Sequence, residues 1–249
     1  MKICPLVLLI LSLFLGTKLV AAQASCLPPP SMKARLQGTP NAAALNDLGV
    51  WFAGQKKYDC AANAFATSLQ TDPDQKDVAH VAFMFGASLF LSGDAKEAIG
   101  ALQEAEQLGY RNVKMHSILA QAFEASHSIK DAEQEWREAL AFDPDNSAAL
   151  DALSDDLLRD KDFNATIALL DVPRLLGQRT PKQTLNLAAA YASTARLDRA
   201  ASVLRDGLNT SPDSLPVAKQ LAKVLVQLNR QDEAATVLDL ALARKSVEH

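Results

Sequence analysis

Two sets of side chains in this chain are of kinds that catalyse reactions or bind metals. They are the histidines His80, His116, His127 and His249, and the carboxylates Asp151, Asp155 and Asp156. Imidazoles hold zinc when further ligands complete a tetrahedron. His80 and His116 fall in corresponding stretches of adjacent segments, but no Cys, Asp or Glu recurs beside them. They read as structural or surface residues, and no metal is expected. Paired carboxylates serve as acid and base when their environments push their pKa values apart. Asp151, Asp155 and Asp156 read instead as a solvated or groove-facing coat on one helix. The chain has no H-E-x-x-H, no G-x-G-x-x-G, no phosphate-cradling G-x-x-x-x-G-K-S/T and no G-x-S-x-G. Each of these would fix a metal, a phosphate or a nucleophile by geometry. The expectation is a protein that is not an enzyme and needs no cofactor.

The cysteines carry a second kind of information. Residues 1–24 have a basic Lys2, an apolar run PLVLLILSLFL and small residues at Val20, Ala21, Ala22 and Ala24. This is the pattern of a secretory signal peptide, with cleavage after Ala22 or Ala24. Export to a periplasm or to the exterior follows. One alternative is an uncleaved membrane anchor, since the stretch from Ile3 to Ala22 is interrupted only by Lys18. Another is lipidation of Cys26, because Ala24-Ser25-Cys26 resembles a lipoprotein box in which Gln23 replaces the usual Leu, Val or Ile. Export also permits a disulfide between Cys26 and Cys60. The preferred reading of Cys60 is a small buried residue beside Ala61 and Ala62.

Composition narrows the class. Of 249 residues, 49% are hydrophobic and only 6% aromatic, and Ala and Leu dominate, which favours helix. The net charge is −4 with both signs interspersed. A nucleic-acid binder would need a basic stripe, so nucleic acid is not an expected partner. Residues 25–40 are Pro-rich and predict a short extended linker.

The elements that hold these side chains follow from a recurring pattern. Leu48-Gly49, Phe52, Ala61, Phe65 and Pro73 return as Phe85-Gly86, Leu89, Ala98 and Leu102. They return again as Leu119-Ala120, Phe123, Ala132, Trp136 and Pro144, then as Leu187-Ala188, Tyr191, Ala200, Leu204 and Pro212. A final set is Leu221-Ala222, Leu225, Ala234 and Leu238. Leu119, Leu187 and Leu221 are separated by 68 and 34 residues, two periods and one. Leu45, Leu48, Gly49 and Phe52 share one face of a first helix, A. Ala61, Phe65, Ser68 and Leu69 share one face of a second, B. The small residues let the two helices approach closely, and the large ones fill the gap to the next hairpin.

With these residues the chain resembles the tetratricopeptide repeat (TPR) family. The resemblance implies an all-α fold, an α-solenoid of about six stacked antiparallel hairpins. Copies are placed at 42–75, 79–112, 113–146, 147–180, 181–214 and 215–248, with 76–78 inserted. In copy 147–180 Thr166 replaces the helix B Ala, and Pro173 should end or kink that helix early. Val237 and Leu240 point away from Leu238, leaving an apolar edge on the last helix that suits self-association.

In such solenoids the concave wall consists of helix A residues not used in packing, so the resemblance implies binding of a protein or peptide there. The positions so implied include Asn46 and Val50; His80, Phe83, Ala87 and Phe90; Gln121; Asp151 and Asp155; and Lys219 and Lys223. Phe83 and Phe90 read either as an exposed aromatic anchor or as rings packed on the linker or first copy. Asp151 and Asp155 against Lys219 and Lys223 would orient a partner by charge. Asn46 and Val50 stand where a carboxylate clamp would need Lys and Asn, so that specialised ligand loses support. The expected function is an exported scaffold, with a lipid-anchored accessory subunit of a bacterial envelope, pilus or secretion assembly as the alternative.

Overall fold

A computed structural model describes residues 26–38 and 41–247. The signal segment and its cleavage sites lie outside the described residues. Thirteen helices and no strand are present among them. They are α1 Pro30–Lys33, α2 Ala42–Gly54, α3 Tyr58–Thr71, α4 Val78–Ser92, α5 Ala95–Gln107, α6 Val113–Ala125 and α7 Ile129–Phe142. There follow α8 Ser147–Arg159, α9 Phe163–Leu170, α10 Pro181–Ser193, α11 Leu197–Thr210, α12 Leu215–Gln227 and α13 Gln231–Val247. From α2 onward each even-numbered helix is an A helix and the next a B helix. The chain divides into two compact units after Glu135, within α7.

Local signals start and stop these helices. Asn41, Asn112 and Asn146 each accept the backbone N–H three residues on, at 2.8, 2.9 and 3.0 Å. Thr180 and Gln183 form a capping box at the start of α10, with Pro181 at its first position. Each such cap contributes about 1 kcal/mol. The A helices end alike. The N–H groups of Lys57, Asp94, Ser128, Asp162, Arg196 and Arg230 donate to carbonyls five residues back, on Phe52, Leu89, Phe123, Leu157, Tyr191 and Leu225. The residue before each donor has positive φ: Lys56, Gly93, His127, Lys161, Ala195 and Asn229. This is the Schellman arrangement. Lys56 and Gly93 stand 37 apart and the later members 34 apart, so the left-handed residue keeps the period and shows the three-residue insertion.

The paired small residues act as expected. A Cβ on Gly49 would lie 2.6 Å from the Phe65 ring, and one on Gly86 2.7 Å from the Leu102 side chain. Ala61, Ala98, Ala200 and Thr166 are fully buried. In the first unit Leu48, Phe52, Ala61, Phe65 and Val81 form one cluster, and Phe83, Leu102, Met115 and Leu119 another. In the second, Leu150, Leu170, Leu187, Leu204, Leu221 and Leu225 form a continuous core. Each fully buried Leu or Phe contributes roughly 1.5–3 kcal/mol.

Two expectations about local structure are corrected or sharpened. The segment before the first hairpin is not extended: α1 runs into a 3-10 turn at Ala34–Leu36. Cys26, Met32 and Leu36 lie against the first cluster, and Arg35 pairs with Asp47 at 2.6 Å. Apolar contact and the covalent tie described below hold it there. In the fourth hairpin, α9 stops at Leu170 after 8 residues, and Pro173 opens a separate 3-10 turn. The early stop leaves the Leu170 carbonyl without a helical partner, and the buried Arg179 Nε donates to it at 2.9 Å. Arg179 Nη2 also reaches Asp171 at 3.3 Å, and Asp171 accepts the Tyr191 hydroxyl. Burial, then the bond to Asp171, raises the Tyr191 pKa.

Candidate interaction surface

The helix A walls place the candidate residues unevenly. On α2, Val50 is 55% exposed, whereas Asn46 is half-buried and donates from Nδ2 to Gln75 Oε1 at 2.7 Å. On α4, His80 is exposed, Ala87 buried and Phe90 half-buried. Phe83 is only 2% exposed. Its ring stacks on Tyr110 at 4.7 Å, with Lys114 Nζ 5.9 Å from its centre. His80 stacks on Tyr110 at 5.4 Å. The reading of Phe83 and Phe90 as an exposed aromatic pair is therefore corrected. Phe83 is a core ring roofed by Tyr110, and Phe90 packs on the same cluster. On α6, Gln121 is half-buried. His116, on that helix, is fully buried and bonds Glu135 at 2.8 Å across the hairpin, a structural role.

In the second unit α8, α10 and α12 lie side by side. The α8 carboxylates are engaged by α10 and its cap. Asp151 accepts from Gln183 at 2.8 Å and from the Thr180 hydroxyl at 3.3 Å. Asp155 accepts from Asn186 at 2.7 Å and pairs with Lys182 at 2.6 Å. Asp156 pairs with Arg159 at 2.5 Å. Asp151 and Asp155 thus tie α8 to α10, while Asp156 pairs within its own helix. On α12, Lys219 and Lys223 are exposed and make no ion pair among the described residues. The apolar residues of this wall are Leu185, Ala189 and Ala192, all half-buried, and Val226, 51% exposed. Near its C-terminal end, Ala192, Ser193, Ala195, Leu197 and Gln227 line an open depression of about 500 Å³.

Cys26 and Cys60 form a disulfide, with Cα atoms 5.4 Å apart. This corrects two readings. Cys60 is buried, as a small residue would be, but it is also covalently tied. The Cys26 sulfur is bonded to Cys60, so it is not available for a thioether to lipid, and lipidation there is withdrawn. Among the described residues no group of three or more His, Cys, Asp or Glu could hold a metal ion. No described helix is long and apolar enough to cross a membrane.

Sequence reasoning missed Tyr110, which follows a turn at Gly109 and stands where Pro73, Pro144 and Pro212 stand in their copies. It also missed the Arg179–Asp171–Tyr191 set, to which the only pointer was Pro173.

Stacked antiparallel A and B helices, small residues at the crossing, and a Schellman turn in every hairpin define the tetratricopeptide-repeat α-solenoid fold. The particular solved structures that share it are TPR proteins. One from Parabacteroides merdae has a TM-score of 0.62 at 11% identity, over 81% of this chain and 79% of that one. The C-terminal part of a TPR repeat-containing protein from Cytophaga hutchinsonii gives 0.64 at 12% identity, over 78% and 77%. MamA from residue 41 to its end, from Desulfovibrio magneticus, gives 0.56 at 15% identity, over 68% and 96%. No family model and no curated protein matches the sequence.

Proposed function

We propose that this protein is a non-enzymatic, exported scaffold that holds a protein or peptide on helix A side chains. The observation that carries it is the wall of the second unit. There α12 exposes Val226, Lys219 and Lys223, which lie outside the core cluster, beside the half-buried Leu185, Ala189 and Ala192 of α10. An exposed apolar and charged strip on a rigid helical frame is the kind of surface that binds extended or helical segments. Export is supported by the signal-like residues 1–24 and by the Cys26–Cys60 disulfide, which is at home in an oxidising compartment. Asp151, Asp155 and Asp156 are spent on internal bonds, which supports a role without catalysis.

Site-specific photocrosslinking in the producing cell tests the reading. A photoreactive side chain at Val226 should give discrete protein adducts. The same group at Leu176, 66% exposed in the turn after Pro173–Leu175, should not. Equal adducts at both positions, or none at Val226, would discard this wall as the binding surface. Mass spectrometry of the exported chain should find its N-terminus after residue 22 or 24, and an intact Met1 would remove the cleavage reading.

A further inference from the structure

We infer that the α10–α12 wall of the second unit recognises an extended acidic segment anchored by one apolar side chain. This rests on the scaffold reading above and names the chemistry of what is held. The wall's own carboxylates, on α8, are already answered. Asp151 and Asp155 are taken by α10 and its cap. Glu233, on the neighbouring α13, is taken by Arg230 at 2.5 Å and by Arg205 at 3.2 Å. Neither α10 nor α12 contains an acidic residue. The charge left on the wall is therefore the cationic pair Lys219 and Lys223, both exposed and without an ion pair among the described residues.

The spacing selects the shape of the ligand. Lys219, Lys223 and Gln227 follow one another at four-residue steps, about 6 Å each along the helix axis. Alternate side chains of an extended chain recur at about 6.6–6.8 Å. An extended segment lying along α12 thus meets the three positions with every second residue. Gln227 borders the depression of about 500 Å³, whose other walls are Ala192, Ser193, Ala195 and Leu197. That end suits an aliphatic side chain. The next two same-facing residues then meet Lys223 and Lys219 and should be acidic. The pattern is apolar, any, acidic, any, acidic, read in one chain direction or the other. Exposed lysine pairs contribute mainly by steering and register, so binding should weaken with salt.

Fluorescence anisotropy tests this with a labelled peptide whose core is Glu-Ser-Glu-Ser-Leu-Ser-Glu-Ser-Glu, which presents the pattern in both directions. The full exported protein should bind it saturably, and added salt should weaken the binding. The Lys219→Glu, Lys223→Glu double variant should bind about ten-fold more weakly. Its circular dichroism should be unchanged, because both side chains are exposed. Lys in place of Glu in the peptide, or Ala in place of Leu, should also weaken binding. No binding by the unaltered protein, equal binding by the double variant, or equal binding of the Lys peptide would each overturn the inference. Adducts at Val226 that persist unchanged in the double variant would leave the scaffold reading standing and remove the acidic ligand alone. Adducts absent from the unaltered protein would remove the scaffold reading itself.

Discussion

Replacing Gly86 by Ala sets two opposed effects against each other within one hairpin. Gly86 lies inside α4, where Ala is the better helix former by about 1 kcal/mol. Its added Cβ would stand 2.7 Å from Leu102 Cγ and 3.0 Å from the Leu102 backbone nitrogen. Leu102 is fully buried, and backbone cannot swing aside like a side-chain tip, so α4 and α5 must separate. Overpacking of this kind costs about 1–3 kcal/mol. The net effect of Gly86→Ala thus runs from near neutral to about 2 kcal/mol destabilising. Gly100 supplies the control. It lies inside α5, with nothing within 4 Å of a built Cβ. Gly100→Ala should stabilise by about 1 kcal/mol. The difference between the two variants isolates the steric contribution, about 1–3 kcal/mol. Urea unfolding followed by far-ultraviolet circular dichroism measures both. If the two variants agree within about 0.5 kcal/mol, the close approach at Gly86 does not limit packing, and the reasoning from small residues fails.

Three further outcomes are expected. Ala195→Gly removes the strain of a left-handed alanine at φ 59° and should stabilise by about 0.5–1 kcal/mol in the same assay, after the entropy of glycine is counted; an unchanged or lower midpoint would contradict that strain. Reducing the Cys26–Cys60 bond, which links residues 34 apart, should cost about 3–4 kcal/mol by loop entropy; an unfolding curve unaltered by reductant would show that the tie adds nothing. Tyr191→Phe loses the bond to Asp171 and should cost about 1–1.5 kcal/mol near neutral pH. Because the native phenol pKa is raised, its contribution holds below the ordinary value near 10 and is lost as pH climbs past the native one. The Phe variant should lack that part of the alkaline decline in stability, and identical pH profiles would count against the bond.

What the sequence revealed was whatever the repeat demands. Gly49 and Gly86 had to be small because Phe65 and Leu102 lie against them, and Pro173 had to end a helix early. What it concealed followed other rules. Phe83 and a groove-lining ring look alike in a periodic pattern; it is Tyr110, an aromatic at a place other copies give to Pro, that covers Phe83. The Cys26–Cys60 pairing depends on where an aperiodic segment folds back. Lys56, His127, Lys161 and Ala195 take the left-handed conformation without the glycine that would have signalled it. Asp151 and Asp155 were rightly placed on an A helix, yet their partners, Gln183 and Asn186, come from the next one, 32 and 31 residues on.

The same main-chain bonds recur in every turn between A and B helices and need no side chain from the left-handed residue, so lysine, glycine, histidine, alanine and asparagine all serve there. Its side chain is consequently free for other duties. Lys56, His127, Lys161, Ala195 and Asn229 are all exposed. Every hairpin of this chain therefore offers one replaceable tag at a fixed address. Charge, bulk or an attached label could be swapped there, copy by copy, without disturbing the seams that hold the helices together.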